Sequence, residues 1–288
     1  MQQYTIAGHT IEIYGEKLES LPGFDSFRTK TNEYKPLLTI SNSSMLQEWN
    51  ILPVFTHEHE GVTYDLSVKN NIRLFRMKQK DGSCILAEIR PEEGVFQSAI
   101  ETRGHVSDES IRFVCWLLFG IAALSRQTVS VHASTVMYRD KSTLFLGESG
   151  TGKSTQTSLW LKHIPDTELL NDDGPCVRLE SDGSIRVYGS PWSGKTPCYK
   201  NQQTPIAAFV RLSQAPHNHI RRLKGIEAIG ALQPSCPFAF AYDKQLSESI
   251  YSILSSVLQQ IPVYHLECLP DAGAALLAFN TLKQDGCL

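Results

Sequence analysis

From residue 4 to about residue 90, apolar positions recur in short alternating runs. Residues 4–6 and 11–14 flank a turn at Ala7 and Gly8, and residues 62–68 and 72–77 alternate as half-buried strands do. Asp81 and Gly82 precede the run 84–89 and carry hairpin turn chemistry. The pattern predicts a small, mainly antiparallel β-rich domain over residues 1–95, with Pro91, Glu92, Glu93 and Gly94 at its boundary and 95–101 as a further strand. Beyond that point the period changes. Ser107, Asp108 and Glu109 suit a helix start, with acids in the first turn of a helix over 111–125. Strand-like runs follow at 129–137, 143–146, 176–179, 185–188 and 206–212. Leu246, Ile250, Ile253, Leu254, Val257, Leu258 and Ile261 recur at helical spacing, which predicts an amphipathic helix over 243–261 stopped by Pro262. A strand at 263–269 and a helix opened by Pro270 and Asp271 complete an expected α/β domain over 96–288.

Residues 142–158 read STLFLGESGTGKSTQTS. An apolar strand breaks into Gly147, Glu148, Ser149, Gly150, Thr151, Gly152, Lys153, Ser154 and Thr155, the pattern of a phosphate-binding loop. Glycines let the backbone curl with its N–H groups inward, and the helix that follows turns its positive end to the anion. Lys153 is then expected to reach the β- and γ-phosphates of ATP, and Ser154 to ligate Mg²⁺. After the helix, Asn171, Asp172 and Asp173 end a short apolar run, so that one carboxylate joins the Mg²⁺ shell and the other accepts a proton from an attacking hydroxyl. The residues do not say which Asp takes which role. Upstream, His132 lies within the run 129–137.

His132 with Ala133, the GESGTGKS loop and the Asn171-Asp172-Asp173 turn, in this order and spacing, resemble the catalytic domain of HPr kinase/phosphorylase, over roughly residues 107–213. That domain shares its phosphate-loop architecture with the ATP-dependent phosphoenolpyruvate carboxykinases. The resemblance implies a phosphate-loop α/β kinase domain of this type behind a small β-rich N-terminal domain. It implies an active site of His132, Lys153, Ser154, Asp172 and Asp173, with Ser154, Asp172 and Asp173 around the metal. It also implies a homo-oligomer and a serine hydroxyl as acceptor, on a protein, a peptide or a small molecule. The family's C-terminal signature and its usual regulatory domain are not found. Residues 189–195, GSPWSGK, look instead like a branch of HPr-kinase-like proteins found beside peptide-modifying and other biosynthetic proteins. Lys195 in this loop is expected beside the γ-phosphate, helping to neutralise the transferred group.

Composition narrows the partners. The chain has 288 residues, 41% of them hydrophobic, enough for two modest domains or one large one with a real core. A net charge of −3 without a run of Lys or Arg argues against nucleic acid or a membrane surface as partner. Seven cysteines without a CxxC pair fit reduced thiols in the cytoplasm. The start MQQYTIAGHT lacks the basic head and apolar run of a signal peptide, and the apolar run 113–124 is too short to span a bilayer. His57, Glu58 and His59 invite a metal reading, with an exposed hairpin edge as the plainer one, and His217 and His219 read as turn residues ahead of metal ligands. Arg211, Arg221 and Arg222 are candidate phosphate or substrate contacts, with solvated charge as the plain alternative. Two rival readings remain: a carboxykinase-like enzyme, and a nucleotide-gated binding module that transfers nothing.

Overall fold

The computed structural model describes residues 1–29, 35–194 and 196–288. Its contacts divide the chain into two compact units, Met1–Arg126 with Ala239–Ser247, and Gln127–Phe238 with Glu248–Leu288.

The first unit holds β1 (Gln2–Ile6), β2 (His9–Tyr14), a short α1 (Glu16–Glu19), β3 (Leu38–Asn42), β4 (Phe55–His59), β5 (Val62–Lys69), β6 (Ile72–Lys78), β7 (Cys84–Glu92), β8 (Val95–Arg103) and α2 (Asp108–Leu124). The strands form one eight-stranded sheet in the order β1-β2-β3-β8-β7-β6-β5-β4, antiparallel except where β3 runs parallel to β2 and to β8. Ala7 and Gly8, at φ 50° and 74°, close the β1–β2 hairpin as a two-residue turn. Glu93 and Gly94, at φ 49° and 80°, do the same between β7 and β8. The stretch expected to separate two domains near residue 95 is therefore a hairpin turn, and contacts divide the chain after Arg126 instead. Linkers and primed turns draw on the same residues, so composition alone does not tell them apart. Helix α2 starts where Ser107 Oγ accepts the Ser110 N–H at 3.2 Å, and its Phe113 meets Tyr64 and Phe75 edge-on. His57 and His59 stack along the edge strand β4.

The second unit holds β9 (Thr128–Ser130), β10 (Ala133–Tyr138), β11 (Lys141–Leu146), α3 (Lys153–His163), β12 (Thr167–Asp173), β13 (Cys176–Leu179), β14 (Ile185–Tyr188), β15 (Gln203–Gln214), β16 (His219–Leu223), α4 (Ile226–Leu232), most of α5 (Lys244–Gln260), β17 (Val263–Cys268) and α6 (Ala272–Gln284). Strand β15 is 12 residues long and serves two sets of partners. Its start pairs antiparallel with β14, which leads on to β13 and β9. Its remainder runs parallel to β11 on one side and to β17 on the other. Helices α3 and α6 cover one face of this parallel half, where Trp160 stands edge-on to Phe145 and Phe279 at 5.5 and 5.7 Å. Val210, Leu212, Tyr264 and Leu266 belong to that core. Strand alternation leaves Arg211 and His265 on the opposite face.

The expected α/β phosphate-loop kinase architecture needs correcting. The chain is about 39% strand and 28% helix, and its 17 strands among the described residues are joined by few helices, unlike a helix-wrapped parallel α/β sheet. The reason is local. Tight turns close most neighbouring strands into antiparallel hairpins, and even the one strand-helix-strand crossover at the loop, β11-α3-β12, has antiparallel β10 wedged between its two strands. The run 129–137 is likewise two strands in different arms of the sheet. It breaks where Val131 N–H bonds Pro175 O at 3.0 Å and His132 N–H bonds Ser235 O at 2.6 Å. Among the described residues no helix is long and apolar enough to cross a membrane.

Candidate active site

The site follows from one register. Ala133, the first residue of β10, sits opposite Leu146 at the end of β11 and Asp173 at the end of β12. Three chain segments that are distant in sequence therefore meet at one sheet end: His132, the loop from Gly147, and the Asp172-Asp173 pair. The loop leaves β11 at Gly147, where a Cβ would fall 2.3 Å from Thr151 Oγ1. That hydroxyl is already committed to Glu148 O at 2.8 Å. Gly152, at φ 109°, then caps α3 in a backbone conformation that a side chain would strain. Glu148, Ser149 and Gly150 form the exposed outer arm, and Thr155 lies exposed on the helix.

Lys153 is buried beneath the loop, and its ammonium uses all three donors: Gly147 O at 2.8 Å, Glu148 O at 3.2 Å and His132 Nε2 at 2.9 Å. Burial holds its pKa below the ordinary lysine value, against the opposing pull of the Asp173, Glu148 and Asp172 carboxylates. His132 Nδ1 lies 2.8 Å from Asp173 Oδ1. A neutral ring with its proton on Nδ1 satisfies both contacts, giving a chain from Asp173 through His132 to Lys153.

The two carboxylates are in different environments. Asp172 is 4% exposed and accepts the Ser154 hydroxyl at 3.1 and 3.3 Å and the Thr196 N–H at 3.3 Å. The Asp173 side chain is 46% exposed and faces His132. The backbone of Asp173 is held at φ 130°, a region that costs a non-glycine residue on the order of 1–3 kcal/mol. Asn171 supports this turn: its Oδ1 accepts the Gly174 N–H at 2.9 Å, and its Nδ2 donates to Ser190 O at 3.2 Å and Trp192 O at 3.1 Å. Ser190 Oγ closes the clamp on Gly174 O at 2.6 Å, and Gly194 N–H bonds Asp172 O. Residues 189–194 thus brace the carboxylate pair through backbone groups and the Ser190 hydroxyl. Lys195, expected to act on the transferred phosphoryl, lies outside the described residues.

Ser154 and Asp172 offer a hydroxyl and a carboxylate side by side, hard oxygen donors of the kind Mg²⁺ takes while keeping its other positions for water and phosphate. Asp173, expected in the same metal set, faces His132 Nδ1 with Oδ1 and is otherwise open. Among the described residues no three His, Cys, Asp or Glu side chains converge on a metal position. Four contacts were not foreseen from the sequence: the Asn171 clamp, its Ser190 partner, Arg211 Nη2 on Glu148 Oε1 at 2.8 Å, and Gln214 Nε2 on Gly150 O at 3.0 Å. Asn171 and Ser190 lie in segments that the sequence marks and Arg211 is a candidate phosphate contact; Gln214 alone carried no signal, and none of the four pairings was legible. Neither the models of known protein families nor the curated proteins include a match to this chain.

Proposed function

We propose that the protein is an ATP-dependent phosphotransferase of the HPr-kinase-like kind, passing the γ-phosphoryl of ATP to a hydroxyl, serine-directed, on a protein, a peptide or a small molecule. The observation that carries the reading is the contrast between the two carboxylates: Asp172 is buried against Ser154, and Asp173 is open and bonded to His132. Lys153 and the loop amides would bind the phosphates. Ser154 and Asp172 would hold Mg²⁺. Bound there, the ion supplies charge neutralisation at the phosphate oxygens. Asp173 would take the proton of the acceptor hydroxyl, with His132 Nδ1 fixing the orientation of its carboxylate. Phosphate arriving at Lys153 competes with three existing acceptors, so the ammonium exchanges partners rather than losing them. The described cysteines form no disulfide, which supports a cytoplasmic setting. The charge balance supports neither nucleic acid nor a membrane as partner.

The test pairs two substitutions, with γ-labelled ATP offered alongside serine, serine-containing peptides and a lysate. Asp173→Asn is expected to keep Mg²⁺-dependent nucleotide affinity and lose transfer by roughly 10²- to 10⁴-fold. Asp172→Asn is expected to lose the Mg²⁺-dependent part of nucleotide affinity. Tight ATP binding by the wild type with no label reaching any acceptor would sink the kinase reading and leave a nucleotide-gated module.

A further inference from the structure

Arg211 and Glu148 form an ion pair at the rim of the phosphate loop that the phosphotransfer scheme leaves without a task. Glu148 is 72% exposed on the outer arm of the loop, and Arg211, 20% exposed, reaches it from β15. Gln214, three residues further along β15, donates to Gly150 O at 3.0 Å, so this strand holds the outer arm at two points. The strand order runs β12-β10-β11-β15, which puts Asp172 and Asp173 on one flank of the loop and Arg211 on the other. Arg211 pairs in register with His265 of β17, which in turn pairs with Arg221 of β16. Arg221 is taken by Glu227, at 3.1 and 2.9 Å, and His265 by the Ser213 hydroxyl at 2.9 Å. Burial holds the His265 pKa low; Glu267 opposes this, and the Arg221 and Arg211 charges reinforce it.

A guanidinium is a fork matched to two phosphate oxygens, and a glutamate carboxylate presents the same two-oxygen face. The loop amides of this motif cradle the phosphates nearer the nucleoside, and its Lys takes those further out. An exposed ion pair is weak and screened, so a more highly charged phosphate displaces the carboxylate readily. We propose that Arg211 is a nucleotide-binding residue that grips the phosphates nearest the nucleoside, and that Glu148 holds its place until they arrive. The proposal rests on the loop binding a nucleotide as read above.

Calorimetric titration of ADP and ATP into the wild-type chain, Glu148→Gln, Arg211→Gln and the double variant tests it. Arg211→Gln is expected to weaken ADP and ATP alike, by roughly tenfold or more. Glu148→Gln is expected to tighten both by roughly two- to fivefold. On the Arg211→Gln background the Glu148 change is expected to add nothing. Unchanged ADP affinity in Arg211→Gln, or a loss confined to ATP, overturns the proposal, as does weaker binding by Glu148→Gln. A wild-type chain that binds neither nucleotide overturns the nucleotide reading itself, and this proposal with it.

Discussion

The buried pair Arg73–Asp243 allows a stability prediction to be worked through. Both side chains belong to the first unit and are only 5% and 4% exposed. Arg73 Nε meets Asp243 Oδ2 at 2.7 Å and its Nη2 meets Oδ1 at 3.3 Å, with Gln245 Oε1 at 2.9 Å as a further acceptor. Asp243 Oδ1 also accepts the N–H groups of Gln245 and Leu246 at 3.0 and 3.1 Å, capping the start of α5. The surroundings are apolar: Arg73 lines a cavity of about 10 Å³ with Leu66, Phe75, Ile89, Val114 and Phe240, which leaves room for about one water at most. Asp243→Ala therefore leaves the Arg73 charge unpaired, with Gln245 Oε1 and Asn71 O as its acceptors and little room for water. Breaking such a pair costs about 3–5 kcal/mol, and loss of the cap about 1 more, so the expected loss is about 4–6 kcal/mol. Removing both charges while keeping the cap acceptor, as in Arg73→Leu with Asp243→Asn, is expected to cost about 1–2 kcal/mol. Urea denaturation followed by circular dichroism and tryptophan fluorescence measures both. A loss below about 1 kcal/mol for Asp243→Ala, or a double variant as unstable as the single, would refute the reasoning.

Two further outcomes follow from the site. The depressed pKa of Lys153 means that its charge is lost below the ordinary lysine value of 10.5, so ADP affinity measured from pH 7 upward is expected to fall before that pH; affinity flat through pH 10 would contradict it. The sign for stability is the reverse: between the folded and unfolded pKa values the unfolded chain holds more protons, so the contribution of Lys153 to folding improves as pH rises across that window. Gly189→Ala would place a Cβ 2.0 Å from Lys200 O, a backbone atom that cannot step aside, at a cost of roughly 1–3 kcal/mol. Because the loop that begins there braces Asn171 and Asp172, turnover is expected to fall more than nucleotide affinity, and a variant with both unchanged removes the bracing role from that loop.

The sequence by itself was enough for whatever is local. The GESGTGKS loop, the helix starts at Ser107 and Asp271, and the β13–β14 hairpin around Asp182 and Gly183 depend on residues a few positions apart, and each is found where the pattern put it. The adjacent carboxylates Asp172 and Asp173 were legible as a candidate pair for the same reason. Their separate environments were not, because alternation tells a strand residue which face it takes but not which strand lies beside it. Only the tertiary structure inserted β10 between β11 and β12, which brought His132 to Asp173 and Lys153. Only the tertiary structure made Glu93 and Gly94 a hairpin turn rather than a boundary, aimed the Asn171 amide at Ser190 and Trp192, and set Arg211 on the rim of the loop. All but the Glu93–Gly94 turn are pairings between segments far apart in the chain, and the free energy that selects them comes from burying whole sheet faces together, which no short stretch of sequence contains.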